Sequence, residues 1–373
     1  TGSTTDTDSS SWTLNLNQQI YHHDSWIGMS QAKKRAEQSR LSFEAEKQAL
    51  IVRVAEAYFN VLSSKDGLEF SIAEKESIKK QLEQTQQRFD VGLIAITDVH
   101  EAKARYDQAT ANEILAQNTL DNAYESLRQI TGKYVERFSA LKNDIPLSTP
   151  QPANIADWMM VAERSNINLL SNQLSVDIAR QEIKRNFAGH YPTVDLTASY
   201  SDSSSDGTSK GPVTDPNTGI TTIQTSPFSF GGTSRNINLS VNFPLFSGGR
   251  TSSSVRKAQA DFDKASQDLE KVHRQVIRDT RSAFLGVVAS ISSVTALQQS
   301  LVSNEKSLEA TEAGFDVGTR TMVDVLLSTS SLYNAKRNLS RSRYDYVLNV
   351  LKLKQAAGIL TEDDLKLING WLK

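Results

Sequence analysis

Few side chains in this sequence are placed to do bond-making chemistry. The five histidines, His22, His23, His100, His190 and His273, show no spacing suited to a metal site, and His22 and His23 adjoin the end of a strand pattern. There is no cysteine, which removes thiolate metal sites and disulfides together. The glycine-rich "FGG" and "SGGR" lack the lysine and helix context of a phosphate-binding loop. No nucleophile elbow is present. The chain is expected to hold no cofactor and no metal, and not to be an enzyme. The polar residues that do stand out belong to a line written twice, "RFDVGLIAITDVHEA" from Arg88 and "GFDVGTRTMVDVLLS" from Gly314. Gly92 and Gly318 suit the left-handed residue that ends a helix. Asp98, with Glu101 three residues on, suits a capping pair at the start of the next. Asp90 and Asp316 read as turn residues.

The repeat extends well beyond that line. At the offset of 226 that carries Gly92 to Gly318, Ala32 maps to Ala258, Ala57 to Ala283, Tyr58 to Phe284, Asp98 to Asp324 and Gly132 to Gly358. Shifted by one residue, it also sets "LNLNQQIY" against "LSVNFPLF". The chain is therefore a tandem duplication of one structural unit. The part of the second copy at about Pro150 to Gln224 has no counterpart in the first. Roughly 75 residues, including one further strand, are expected upstream of Thr1 on the repeat logic.

Each copy joins strands to long helices. Apolar and polar residues alternate at Trp12, Leu14 and Leu16, at Val194, Leu196, Ala198 and Tyr200, and at Ile237, Leu239, Val241 and Phe243. One face of each strand is rich in Asn and Thr. This fits a soluble sheet with one wet face or the apolar-out, polar-in code of an outer-membrane barrel, and the aromatics at the strand ends (Trp12, Tyr21, Trp26, Tyr191, Tyr200, Phe243, Phe246) favour the barrel. From about Ser25 to Asp90 there is no proline and apolar residues recur at Ile51, Val54, Ala55, Tyr58, Val61 and Leu62. A helix of about 65 residues, on the order of 100 Å long, with coiled-coil packing is expected. Alanines along the return helix, among them Ala102 and Ala109, would let neighbours approach closely.

The expected organisation is the end of an outer loop and a strand (1–21), a helical hairpin (22–132), a proline-containing connector (133–153), a helical segment (154–191), two strands around a long polar loop at 201–235 (192–246), a second hairpin (247–358) and a C-terminal segment (359–373). No apolar run approaches the roughly 20 residues of a transmembrane helix, and no signal peptide is visible. The net charge of −2 argues against nucleic acid. Three or four strands cannot close a barrel, so the chain must assemble with copies of itself.

"QTQQRFDVGLIAITDVHEAKARYD", "LDNAYESLRQITG", "PTVDLTAS" and "EAGFDVGTRTMVDV…LYNAKRNL" closely resemble the TolC family of outer-membrane efflux and secretion ducts, the outer membrane factors of Gram-negative bacteria. The resemblance covers essentially the whole chain. It implies a mixed fold, a membrane β-barrel plus a long α-helical coiled-coil barrel reaching through the periplasm, in a homotrimer with four barrel strands per protomer. Implied partners are a periplasmic adaptor (membrane fusion) protein, an inner-membrane transporter of RND, ABC or MFS type, and outer-membrane lipid. Export of drugs and small molecules, multidrug resistance and type I protein secretion are all implied, with an iris-like opening of the hairpin tips. A secretion-only duct and a non-conducting coiled-coil envelope spacer are the alternatives.

The resemblance also assigns residues. Thr97, Asp98, Phe315 and Arg320 would link the coils at a gate, and Asp324 would form an acidic ring in the lumen. Asp98 fits both the cap and the gate link. Gly92, Leu93, Ile94, Gly318 and Thr319 would dock the adaptor, while burial inside the hairpin is the other account of the apolar "LIAI". The family pattern has a tyrosine where Phe315 stands and a second acid where Leu327 stands. A looser latch and weaker cation blockage are therefore expected.

Overall fold

The computed structural model describes residues 2–135, 137–142, 144–217 and 219–373. Thr1, Glu136, Asn143 and Thr218, which fall in the segments expected at 1–21, 133–153 and 201–235, lie outside the described residues. The elements run β1 (Thr4–Tyr21), α1 (His23–Asp90), α2 (Ile96–Thr131), α3 (Ile155–Ser165), α4 (Ile167–Phe187), β2 (Thr193–Thr214), β3 (Thr221–Asn242), α5 (Arg250–Asp316), α6 (Met322–Ala356) and α7 (Glu362–Asn369). They fall into two compact units, Thr1–Ala36 with Leu174–Ser266, and Glu37–Gln173 with Gln267–Lys373.

The first unit is built on one antiparallel sheet of order β1-β2-β3. Register makes its two faces unlike. Leu16, Ala198 and Ile237 form one cross-strand row, and Gln18, Leu196 and Leu239 the next on the same face. Asn17, Thr197 and Asn238, then Asn15, Ser199 and Asn236, form rows on the other. The apolar face has no cover within the chain: Ile237 is 78%, Leu239 62% and Val241 65% exposed. Aromatic rings bound this band. Trp12 lies 5.0 Å from Tyr200, which also carries Arg235 over its ring at 5.4 Å. Toward the helices, Tyr21 meets Trp26 at 5.4 Å and His23 meets Tyr191 at 5.2 Å. The start of α1 is tied to the second half of α4 by polar contacts, with Gln31 Nε2 donating to Glu182 Oε2 at 2.8 Å and Lys34 to Asp177 at 2.6 Å.

Two stretches expected as loop are strand. Residues 201–235 continue β2 and β3 as a paired hairpin to Thr214↔Thr221, and β1 begins at Thr4 rather than after the serine run. The backbone ladder needs no apolar face. Hydroxyls bridge the strands, Ser9 to Ser205 at 3.0 Å, Ser10 to Ser204 at 2.8 Å and Thr214 to Thr221 at 2.8 Å. Both faces of β2 are polar from Ser201 to Lys210, so its period-two signal vanishes while the pairing persists; on β3 Phe228 and Phe230 still alternate with Pro227 and Ser229. Asp215 N donates to Ile220 O at 3.0 Å across the hairpin's end, and Gly219 lies at φ 70°.

The second unit packs the long helices around the connector. Ile51, Val52, Ala55, Phe59 and Leu62 of α1 are buried with Phe284, Val287 and Val294 of α5 and with Tyr346, Val347 and Leu351 of α6. Leu141 and Ile145 of the connector, Trp158 of α3 and Ile368 of α7 complete that core. Its polar atoms are matched: Trp158 Nε1 donates to Pro152 O at 2.7 Å, and the Tyr346 hydroxyl donates to Pro146 O at 3.0 Å and accepts from Ser148 N at 3.1 Å. Burial, with the Asp66 carboxylate beside it, pushes the Tyr344 phenol well above its usual range, so it stays a neutral donor to Asp66 at 2.7 Å. An 18-residue window of α5 reaches mean hydropathy 1.4 with few charges, long and apolar enough by composition to cross a membrane. Small uncharged residues interleave with the apolar ones there, which raises the window average without a continuous apolar run.

The repeat shows its asymmetry at its two terminal glycines. Gly132 (φ 68°) and Gly358 (φ 76°) both end helices in the left-handed region. A Cβ at Gly132 would meet nothing within 4 Å, whereas at Gly358 it would lie 2.3 Å from Ser165 O. Gly132→Ala should cost only the backbone strain, about 1 kcal/mol. Gly358→Ala adds a backbone clash and should lower the thermal unfolding midpoint of the full-length protein clearly further; equal losses would contradict that packing.

Candidate functional site

The repeated line forms the turn of each helical hairpin. α1 stops at Asp90 and α2 starts at Ile96; α5 stops at Asp316 and α6 starts at Met322. Gly92 (φ 76°) and Gly318 (φ 78°) end the first helix of each pair. Gly92 N donates to Phe89 O at 2.8 Å and Leu93 N to Arg88 O at 2.9 Å; Gly318 N and Thr319 N repeat this toward Phe315 O and Gly314 O at 3.0 and 2.8 Å. This double bond pattern satisfies the last carbonyls of a helix and requires a left-handed residue, hence glycine twice.

The starts of the return helices differ. Thr321 caps α6: its N–H and Oγ1 each donate to Asp324 Oδ2 at 2.9 Å, and Asp324 N donates back to Thr321 Oγ1 at 3.3 Å. The Thr321 backbone and hydroxyl, with a smaller contribution from the Arg320 charge, hold the Asp324 carboxyl below the usual aspartate range. Its Oδ1 takes no part in these bonds. In the first copy the equivalent of Thr321 is Ala95, which has no side-chain oxygen, and α2 starts with no side-chain cap. Asp98 is the third residue of α2, not its cap, and no Asp98–Glu101 capping pair forms. The repeat register contains the reason, because Asp98 aligns with Asp324, the third residue of α6 and the partner of its cap.

The remaining candidate positions spread over both tips. Thr97 is exposed and Asp98 half-buried on α2, and Arg320 is exposed just ahead of α6. Among the described residues no hydrogen bond or ion pair joins Thr97 or Asp98 to Phe315 or Arg320 within the chain. Phe315 is half-buried against a small core of Ile78, Ala102, Ala109, Met322, Val325 and Leu326. Leu93 is 73% exposed, with Val91 and Val317 exposed beside the glycines and Ile94 half-buried. The "LIAI" side chains are thus not folded inside the hairpin as one account expected; the turn at residues 91–95 offers Leu93 no helix face to pack on. Thr319 is exposed, its hydroxyl donating to Gly314 O at 3.0 Å.

What joins the two tips in one chain is Arg88. Its guanidinium lies over the Phe315 ring at 4.5 Å and donates to Asp316 Oδ1 at 2.8 Å. Asp316 is therefore a partner and not only a turn residue, while Asp90 accepts locally from Gln86 at 2.8 Å. The sequence reading passed over Arg88. Its signal was a break in the repeat, since the offset places Gly314 where Arg88 stands. A cleft between the hairpins is lined by Gln81, Gln87, Arg88, Glu312, Phe315 and Met322.

Two long hairpins turning on the same glycine motif, and a sheet apolar on one face, define a recognisable chain. The outer membrane efflux protein family model matches residues 1–133 and 158–359. The chain belongs to that family. It is 43% identical over 367 residues to the outer membrane protein TolC of Escherichia coli (strain K12), covering 96% of this chain and 71% of that protein. It is 30% identical over 368 residues to the alkaline protease secretion protein AprF of Pseudomonas aeruginosa, covering 97% and 72%. Among solved structures, the outer membrane protein VceC of Vibrio cholerae matches with a TM-score of 0.74 at 16% identity, covering 96% of this chain and 87% of that one. The outer membrane channel CmeC of Campylobacter jejuni matches at 0.73 and 16%, covering 99% and 81%. This efflux-family chain is an outer-membrane protein, and its relatives are channels rather than enzymes. Its function is that of an efflux or secretion channel.

The cap asymmetry is testable. Thr321→Ala should cost about 1 kcal/mol at the start of α6 and speed tryptic nicking after Arg320 roughly fivefold in the folded protein, whereas Thr97→Ala should leave it unchanged. Because the Asp324 carboxyl is depressed in the folded state, its contribution is complete above the unfolded aspartate range and is lost as pH falls through the folded value. The gap in unfolding midpoint between wild type and Asp324→Asn should shrink between about pH 6 and about pH 3; a gap constant in pH would contradict the bonds described.

Proposed function

We propose that the chain is one protomer of a homotrimer whose sheets join edge to edge in a twelve-stranded barrel, four strands from each protomer, continued through the periplasm by the long helices. The observation that carries this is the sheet itself: an apolar face bounded by aromatics, a polar opposite face, and free edges on β1 and β3. Lipid tolerates no unpaired strand edge, and alternation of this kind is the code of an outer-membrane barrel. The water-facing rows would then line a passive conduit, with no energy source of its own. Direction would come from a periplasmic adaptor protein and an inner-membrane transporter. Small-molecule efflux is the leading reading; protein secretion is also supported, by the 30% identity to a protease secretion protein.

In this reading the tips are the gate. Among the described residues the exposed Arg320 has no ion-pair partner, which leaves its guanidinium for a link to a neighbouring protomer near Thr97 and Asp98. Phe315 contributes packing rather than a hydroxyl link. Three copies of Asp324, each with a free Oδ1 and a carboxyl kept ionised by Thr321, would form the acidic ring. The exposed Leu93, with Ile94, Gly92, Gly318 and Thr319, is the docking edge for the adaptor.

Single-channel recording of the full-length protein in planar bilayers tests this. Wild type should give small cation-preferring currents, Arg320→Ser severalfold larger ones, and Asp324→Asn a weaker cation preference. Unchanged currents in Arg320→Ser would move the gate elsewhere; a folded protein that never conducts would leave only the envelope-spacer reading.

A further inference from the structure

The face of the sheet that carries Asn236 and Asn238 continues along the hairpin of β2 and β3 without a register shift. At every second position on that face β2 presents only serine and glycine from Ser199 to Gly211, and β1 only threonine and serine from Thr5 to Thr13. On β3 the same alternation brings up Phe228 and Phe230. Phe228 stands in the row of Thr7 and Gly207, and Phe230 in the row of Ser9 and Ser205, whose hydroxyls meet at 3.0 Å. A wall of hydroxyls thus carries two adjacent rings on the side where the apolar-out, polar-in code calls for none.

Their surroundings are unlike those of a packed core pair. The ring centroids are 5.1 Å apart and the planes tilted by 31°. Phe228 is half-buried because its ring lies across Gly207, where a Cβ would come within 2.6 Å of the ring tip. Phe230 is 66% exposed, and a Cβ built on its same-face neighbour Gly232 would meet nothing within 4 Å. One glycine seats the pair and another leaves it open. Apolar surface shown to water is costly in proportion to its area, so rings held in this way favour an apolar visitor.

In a trimeric barrel that visitor is not the same pair on another copy. Twelve strands about 4.8 Å apart and tilted about 40° enclose a backbone circle of radius about 12 Å, and a phenylalanine reaches inward roughly half of that. Three pairs then narrow the path to an opening on the order of 10 Å without meeting across it. A flat solute leaving through such an opening passes within contact of one pair.

We propose that Phe228 and Phe230 of three copies form an aromatic collar at the hairpin end of the barrel, a site that binds planar aromatic solutes by stacking as they leave. The proposal rests on the trimeric-conduit reading. Ring faces select flat π systems, and the hydroxyls of Ser203, Ser205 and Ser9 around the pair can hydrogen-bond their polar substituents.

Single-channel recording of the full-length protein with ethidium, a planar aromatic cation, tests the collar; tetrabutylammonium supplies the same charge without a ring. Wild type should show ethidium blockades whose dwell time falls about tenfold when Phe228→Leu and Phe230→Leu are combined, a change that keeps both side chains apolar. Phe230→Leu alone, at the more exposed position, should give an intermediate dwell time and guards against a disturbed hairpin. Tetrabutylammonium blockades, set by charge at sites such as the Asp324 ring, should not change. Ethidium dwell times equal in wild type and both variants, or an equal loss for tetrabutylammonium, would overturn the collar and leave the conduit standing. A folded wild type that never conducts sinks the conduit and the collar together.

Discussion

A backbone amide or carbonyl in hydrocarbon has no water to turn to, and the edges of β1 and β3 are rows of such groups. In an outer-membrane protein that constraint reaches far beyond the sheet. It explains why one chain presents Ile237, Leu239 and Val241 with nothing over them, and why Asn and Thr fill the opposite rows. Under the trimer proposed above, strands of other copies would pair with both edges, and the uncovered apolar face would meet lipid.

The second unit solves a different problem. Helices as long as α1 and α5 cannot share one core along their whole length, and the large cluster is gathered where the connector, α3, α6 and α7 meet them. Nearer the turns a second, smaller cluster of Ile78, Ala102, Ala109, Met322, Val325 and Leu326 is buried between the hairpins, and polar pairs such as Glu74–Arg337 join the helices as well. Register is held by hydrogen bonds that a slipped helix would leave unmade.

Much of this was legible in the residues. The 226-residue offset disclosed two hairpins, and Gly92 and Gly318 marked their turns because only a left-handed residue closes that bond pattern. The alternating strands were visible wherever one face is apolar. Where both faces are polar, as along β2 from Ser201 to Lys210, no period survives and composition imitates a loop. The cap of α2 was misplaced onto Asp98 because aspartate is an obvious cap former, although Ala95 holds the position that Thr321 holds in α6. Arg88 and the Glu74–Arg337 pair escaped for a plainer reason: their partners lie 228 and 263 residues away, and nothing local announces them.

The central claim, that the sheet is complete only when copies join, is tested most directly by the mass of the assembly. Native mass spectrometry of the full-length protein, extracted from outer membranes in mild detergent, should give one species of three chains with no folded monomer beside it. A folded monomer stable in water without detergent, its apolar rows still bare, would contradict the account.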